Sequence, residues 1–258
     1  MSTSKYCRLM HDGKPVWGLI NDETIQIIEG DLFRQFSITD HKVALTGTKL
    51  LPPVTPSKIV CVGLNYADHV KESQSSNVVP QEPVLFMKPL TALIGPEETI
   101  VAPPQSQRVD YEGEIGVVIG ARCKDLSPEE VATNIFGVTC VNDVTARDLQ
   151  KKDLQWTRGK GFDTFCPVGP YLVTGLDYEN LSVTSRLNGE TRQTSNSRNM
   201  IFSIAELISF INDIMTLLPG DLVATGTPEG VGPMKNGDIV EVEVEGVGIL
   251  RNRVQRHG

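Results

Sequence analysis

Three carboxylates stand where they could act together in this chain of 258 residues. Two lie in Asp110-Tyr111-Glu112-Gly113-Glu114-Ile115-Gly116, where alternation along a strand would put Glu112 and Glu114 on one face. Side chains two apart on a strand are roughly 7 Å from each other, and as carboxylates they repel by about 2 kcal/mol at an effective dielectric of about 20. The ordinary outcome of such a pair is a solvated face. EVEVE at 241–245 shows it, its glutamates alternating with Val240, Val242 and Val244, and no site is assigned there. The 112–114 pair is followed instead by Val117, Val118 and Ile119, apolar on both faces, so its strand runs into a buried layer. From this feature alone a cation site and a surface pair read equally well. Asp143 closes the apolar run at 138–141 and, taken singly, reads as a cap for the helix that follows, as does Thr145. With Glu112 and Glu114 it completes an all-oxygen set suited to Mg²⁺ or Mn²⁺, whereas zinc would prefer His or Cys. With four histidines, two of them at 11 and 257, a multi-His site is hard to build.

His69 and Glu72, in NYADHVKE, stand at i and i+3 and would meet on one helical face. A carboxylate beside an imidazole holds its tautomer and raises its basicity, as a general base for water requires; a surface His beside a Glu is equally familiar. Lys160, in RGKGFD, has a glycine on each side, which would let a ligand approach the backbone; a basic surface turn has the same composition. TGTPEGVG at 225–232 follows a predicted strand and could offer backbone N–H groups to a carboxylate. It has neither the Gly-Lys-Ser/Thr ending of a P-loop nor a GxGxxG fingerprint, so nucleotide binding has no support.

The elements that must position these residues are mostly strands, because 23 glycines and 16 prolines punctuate short runs of Val, Ile and Thr. A meander is predicted at 6–10, 16–20 and 24–28, joined by His11-Asp12-Gly13 and Asn21-Asp22 turns. A less regular stretch follows. The prolines of LLPPVTPS (50–57) suit neither helix nor central strand, so this segment reads as a linker between a small N-terminal β domain, 1–53, and a larger domain, 54–258. Beyond it come an apolar strand at 58–63, a short helix in ADHVKE, and strands at 115–119, 138–141, 183–187 before an Asn188-Gly189 turn, and 222–224. The polar, proline-flanked segment 73–83 reads as a surface loop or a lid. The clearest helix spans 204–218, with Ser203 and Glu206 as a capping box and Ile204, Leu207, Ile208, Ile211 and Met215 on one core-facing stripe. The fold class is α+β, dominated by β.

Composition narrows the partners. Lys plus Arg is 24 against 32 for Asp plus Glu, and a net charge of −8 repels phosphate backbones and anionic lipid, so no nucleic acid and no membrane is expected. The first residues contain no apolar signal core, and no run of about 18 apolar residues occurs, which reads as a soluble, unexported, cytoplasmic protein. Five widely spaced cysteines without a CxxC argue for reduced, structural thiols.

Taken in order, VGLNYADHVKE, FMKP, DYEGEIGVVIG, VNDVTARDLQ, RGKGFDTFCPVGP, NSRNMIFSIAELI and TGTPEGVGP resemble the fumarylacetoacetate hydrolase family over residues 58–254. The resemblance implies a mixed, β-rich roll, with the N-terminal meander similar to the small extra domain of longer bacterial-type members, and a homodimer. It implies Glu112, Glu114 and Asp143 as ligands of Mg²⁺ or Mn²⁺, Lys160 beside the metal on the substrate, and Gln150 and the Gly226-Thr227 backbone along the pocket. His69 and Glu72 would lie on a helix that closes over the substrate and activates water. Two departures stand out: Leu64 where short acylpyruvate hydrolases often carry Arg, and Arg158-Gly159-Lys160 where they carry Leu-Ala-Lys. Longer members include oxaloacetate decarboxylases and isomerases or decarboxylases of hydroxylated dienedioates.

The expected function is therefore metal-dependent cleavage of the bond between carbons 3 and 4 of a small β-oxo acid, as an acylpyruvate hydrolase or oxaloacetate decarboxylase. The alternative within the family is a 2-hydroxyhepta-2,4-diene-1,7-dioate isomerase or decarboxylase, or an oxaloacetate tautomerase. An alternative of another class is a non-catalytic, β-rich binding protein clipped by the metal, against which the His69 and Glu72 pair speaks, since a clip needs no base.

Overall fold

A computed structural model describes residues 3–72 and 79–256, so most of the expected lid at 73–83 lies outside the described residues. The chain is dominated by strands, and the strand Gly113–Ile119 lies in the interior of its largest sheet. It pairs antiparallel with Ile135–Asn142 on one side and Leu222–Ala224 on the other, and every residue in it is buried. The expectation of a strand entering a buried layer holds because alternate side chains serve two cores. Ile115, Val117 and Ile119 pack with Ile204, Leu207, Ile208 and Ile211 of the main helix, while Val118 faces Cys61, Val141 and Cys166. Glu114 shares parity with Val118, so its carboxylate enters the second of these layers.

The sheet is mixed. Leu222–Ala224 runs parallel to Ile59–Gly63, which pairs antiparallel with Val84–Lys88. At the other end, the meander of Ser4–His11, Lys14–Asn21 and Thr24–Gly30 joins the same sheet, because Ser4–His11 pairs with Cys166–Thr174. Its fourth strand, Phe36–Ala44, occupies the stretch read as irregular; it is exposed along most of its length, so no apolar alternation marks it in the sequence. Part of the 50–57 segment is also structured: Leu50–Leu51 pair with Arg8 and Leu9, and Val54 is fully buried.

Other local expectations hold for local reasons. Asn188 and Gly189 both take positive φ, 54° and 82°, as a two-residue hairpin turn requires, and join Ser182–Leu187 to Glu190–Asn196. In Ile239–Val244 the valines are buried and the glutamates face outward, Glu243 meeting Arg186 and Glu241 meeting Arg251. The main helix has the Ser203–Glu206 capping box but spans Ile204–Ile214, shorter than 204–218. Met215 is already extended, at φ −140° and ψ 141°, because Leu217 is drawn into a bridge with Cys123 that exchanges two backbone hydrogen bonds of 3.0 Å. All five cysteines are free and buried. Among the described residues no helix is long and apolar enough to cross a membrane.

Candidate metal centre and active site

Glu112 stands between two strands, which corrects the picture of two glutamates on one strand face. Val109–Tyr111 belongs to a small sheet with Thr145–Ala146 and Gly232–Pro233, and the main-sheet strand begins only at Gly113. The break is held in register by its neighbours: Glu112 N–H donates to Asn142 Oδ1 at 3.0 Å and Glu112 C=O accepts from Asp143 N–H at 2.8 Å. Gly113 is the pivot, since a Cβ there would lie 1.9 Å from Ser185 Oγ. Its N–H donates to Gln193 Oε1, and its C=O accepts from Thr227 Oγ1. With the chain bent this way, carboxylate oxygens of Glu112, Glu114 and Asp143 lie within 4.8 Å of one another, all three side chains buried.

Three buried cations hold this cluster, and sequence reasoning assigned only one of them. Lys160 Nζ donates to Glu112 Oε2 at 2.7 Å and to Asp143 Oδ2 at 2.5 Å. Lys88 Nζ donates to the carbonyls of Val144 and Lys160, at 3.0 and 2.6 Å. It also forms an ion pair with Asp143 Oδ1 at 2.8 Å, an oxygen that accepts no hydrogen bond among the described residues. Arg147 reaches Glu112 Oε1 with Nη2, Asp110 Oδ2 with Nε at 2.9 Å, and Gln150 Oε1 with Nη1 at 2.7 Å. Lys88 and Arg147 lie inside FMKP and VNDVTARDLQ, but no spacing marks either as a partner of a residue so far away in the chain.

These contacts set opposite protonation tendencies on neighbouring acids. Burial works to raise the Glu112 pKa, but Lys160, Arg147 and His69 outweigh it and hold the carboxyl below the usual carboxylate range. Burial raises Glu114, and the Asp143 and Glu112 charges push it further, well above that range, against Lys160 and the Gly226 N–H. Lys160, which burial alone would lower, is raised to about 12 by Asp143 and Glu112. A hard, all-oxygen donor set, with an acid left short of positive charge, is one that could hold a metal ion.

The remaining predicted residues divide between cavity and support. His69, Gln150, Lys160 and Thr227 line one polar cavity with the three carboxylates and Arg147, walled on one side by Leu64 and Trp156. His69 lies on the helix Ala67–Glu72; its burial lowers the imidazole pKa, against the raising effect of Glu112, and its Nδ1 is 3.6 Å from Glu72 Oε2, beyond hydrogen-bond reach. Gly226 N–H does meet a carboxylate, but it is that of Glu114, at 2.9 Å, so the N–H expected to line the pocket for substrate instead holds Glu114. Thr227 is tied down in the same way: its hydroxyl donates to Gly113 and accepts from Gln193 at 2.8 Å. Gln193, buried beneath this turn, has no signal in the sequence.

Known proteins resemble this chain over nearly its whole length. Residues 58–255 match the family described as fumarylacetoacetate (FAA) hydrolase C-terminal, and residues 4–53 match one described as Rv2993c-like, N-terminal. An uncharacterized protein of Archaeoglobus fulgidus is 55% identical over 212 residues, covering 82% of this chain and 84% of its own length. The mitochondrial oxaloacetate tautomerase FAHD2A of Bos taurus is 45% identical over 245 residues, covering 90% of this chain and 76% of its own. The crystal structure of 2-hydroxyhepta-2,4-diene-1,7-dioate isomerase from Mycobacterium marinum superposes with a TM-score of 0.91 at 40% identity, over 99% of both chains.

Proposed function

The chain belongs to the fumarylacetoacetate hydrolase family, and from that membership we propose that it moves a proton on a small 2-oxo dicarboxylic acid, interconverting keto and enol forms of a substrate such as oxaloacetate. The observation that carries this reading is the shared cavity of a buried imidazole, a fixed ammonium and the three-carboxylate cluster. A tautomerase and an isomerase among the similar proteins favour rearrangement over bond cleavage as the first reaction to test.

Glu112, Glu114 and Asp143 would hold Mg²⁺ or Mn²⁺, which when bound supplies a Lewis acid for the oxygens of a 2-oxo acid. Lys160 stays protonated across the physiological range and places fixed positive charge where negative charge develops on the 2-oxo oxygen. His69, kept neutral by burial, accepts the proton that leaves carbon 3 while the bonding pair shifts toward that oxygen. Returning the proton to the oxygen completes the enol, and the reverse sequence restores the ketone. Gln150 accepts from Arg147 through Oε1, which turns its amide donor toward another acceptor; Thr227, bonded in both directions, serves as wall.

The test follows the ultraviolet absorbance of enol oxaloacetate with Mg²⁺ and with Mn²⁺. Approach to keto–enol equilibrium should quicken in proportion to protein and slow to the buffer rate in EDTA; a rate indifferent to the protein ends the reading. A second reading, cleavage between carbons 3 and 4 of acylpyruvates or oxaloacetate, is favoured by Glu72 standing 3.6 Å from His69, the partner a water-activating base uses. Pyruvate release in the same samples decides between them.

A further inference from the structure

The TGTPEGVG turn makes a contact that the carboxylate cluster does not use. Gly230 N–H donates to Glu72 Oε2 at 2.9 Å, and Gly230 C=O accepts from the Tyr111 hydroxyl at 2.9 Å. Gly230 is held close against the strand Glu190–Asn196: its φ is 93°, and a Cβ would lie 2.1 Å from the carbonyl oxygen of Arg192. Tyr111 is equally fixed, being 2% exposed and paired through its backbone to Gly232. The residue immediately before Glu112 therefore reaches, through the backbone of one residue, the carboxylate beside His69.

Glu72 depends on such an anchor. It ends the six-residue helix Ala67–Glu72, and its side chain is 39% exposed, so without a partner it would sample several rotamers in water. The oxygen that Gly230 holds is the one 3.6 Å from His69 Nδ1. A carboxylate oxygen has two lone pairs, so one can accept from Gly230 while the other faces the imidazole. Among the described residues His69 Nδ1 is buried and accepts or donates no hydrogen bond, so the placement of this oxygen can orient the ring.

We propose that Tyr111, acting through Gly230, is a positioning residue that anchors Glu72 against His69 and docks the helix Ala67–Glu72 over the cavity. The proposal rests on the reading of His69 as the group that moves the proton, and it gives a role to Tyr111 and Gly230, to which the sequence assigned none. Its chemistry is a relay of two hydrogen bonds, hydroxyl to carbonyl and amide to carboxylate, across the single residue Gly230.

The experiment compares the full-length protein with Tyr111→Phe, Glu72→Ala and the double variant. Amide hydrogen exchange over 67–72 should rise roughly three- to tenfold in each single variant, the effect of one lost hydrogen bond on local opening. The double variant should match Glu72→Ala, because both changes act through the same link. Oxaloacetate turnover should show a lower kcat in both single variants, with KM within about twofold of the parent. Tyr111→Phe with parental exchange over 67–72, or with its full effect added to that of Glu72→Ala, overturns the proposal. If the exchange pattern holds but His69→Ala leaves turnover intact, the catalytic reading falls and the anchor stands.

Discussion

Glu114→Gln tests the electrostatics of the carboxylate cluster without relying on any substrate. Glu114 is buried beside Asp143 and Glu112, with oxygens of the three within 4.8 Å. Burial disfavours the ionised carboxylate, and at an effective dielectric of about 20 one such repulsion adds about 3 kcal/mol; with Lys160 and the Gly226 N–H offsetting part of this, a net strain of about 1–3 kcal/mol falls on the ionised Glu114. The folded-state pKa of Glu114 lies above its unfolded value. A group shifted in that direction contributes stability below the unfolded pKa, which is lost as pH rises through the folded pKa. In EDTA, ionised Glu114 therefore destabilises the parent at neutral and higher pH. The Gln variant, which cannot ionise, should be the more stable protein there, and the advantage should vanish near pH 4. A chain of 258 residues gains about 2 °C in Tm per kcal/mol, so the variant should melt about 2–6 °C higher at pH 8. Calorimetry from pH 4 to 8 in EDTA measures this. With saturating Mn²⁺ the order should reverse, because binding to the native state stabilises only the protein that keeps its ligand. A Gln variant less stable than the parent in EDTA at pH 8, or a difference independent of pH, would refute the reasoning.

His69→Ala should lower turnover roughly 10²- to 10⁴-fold, as loss of a general base does, while Mn²⁺ affinity by titration calorimetry stays at the parental value. Arg147→Met leaves Glu112 without one of its two cations and Asp110 with Arg108 alone, and should cost about 3–5 kcal/mol in denaturant unfolding. The expected homodimer would give a light-scattering mass near twice 28.3 kDa, and a mass of one chain would contradict it.

The sequence alone carried the features that depend on near neighbours. The Ser203–Glu206 cap, the Asn188-Gly189 turn and the alternation in 239–244 were legible because each is decided within a few residues. The three carboxylates were legible for a related reason: Glu112 and Glu114 flank a glycine in an otherwise apolar segment, and Asp143 ends another. Tertiary structure decided which cations stand against them. Lys88 meets Val144 and Lys160 across 56 and 72 residues, and Arg147 meets Glu112 across 35; nothing in a short window distinguishes them from surface bases. The same distance rule explains the helix that stops at Ile214, where pairing with Cys123 outweighs local periodicity, and the exposed strand Phe36–Ala44, whose place is set by the edge it extends. It also explains Gly226, whose N–H was open to any carboxylate in the sequence and is bound to Glu114 in the fold. A buried charge must find its partner wherever packing puts one, because desolvation penalises every arrangement that leaves it alone.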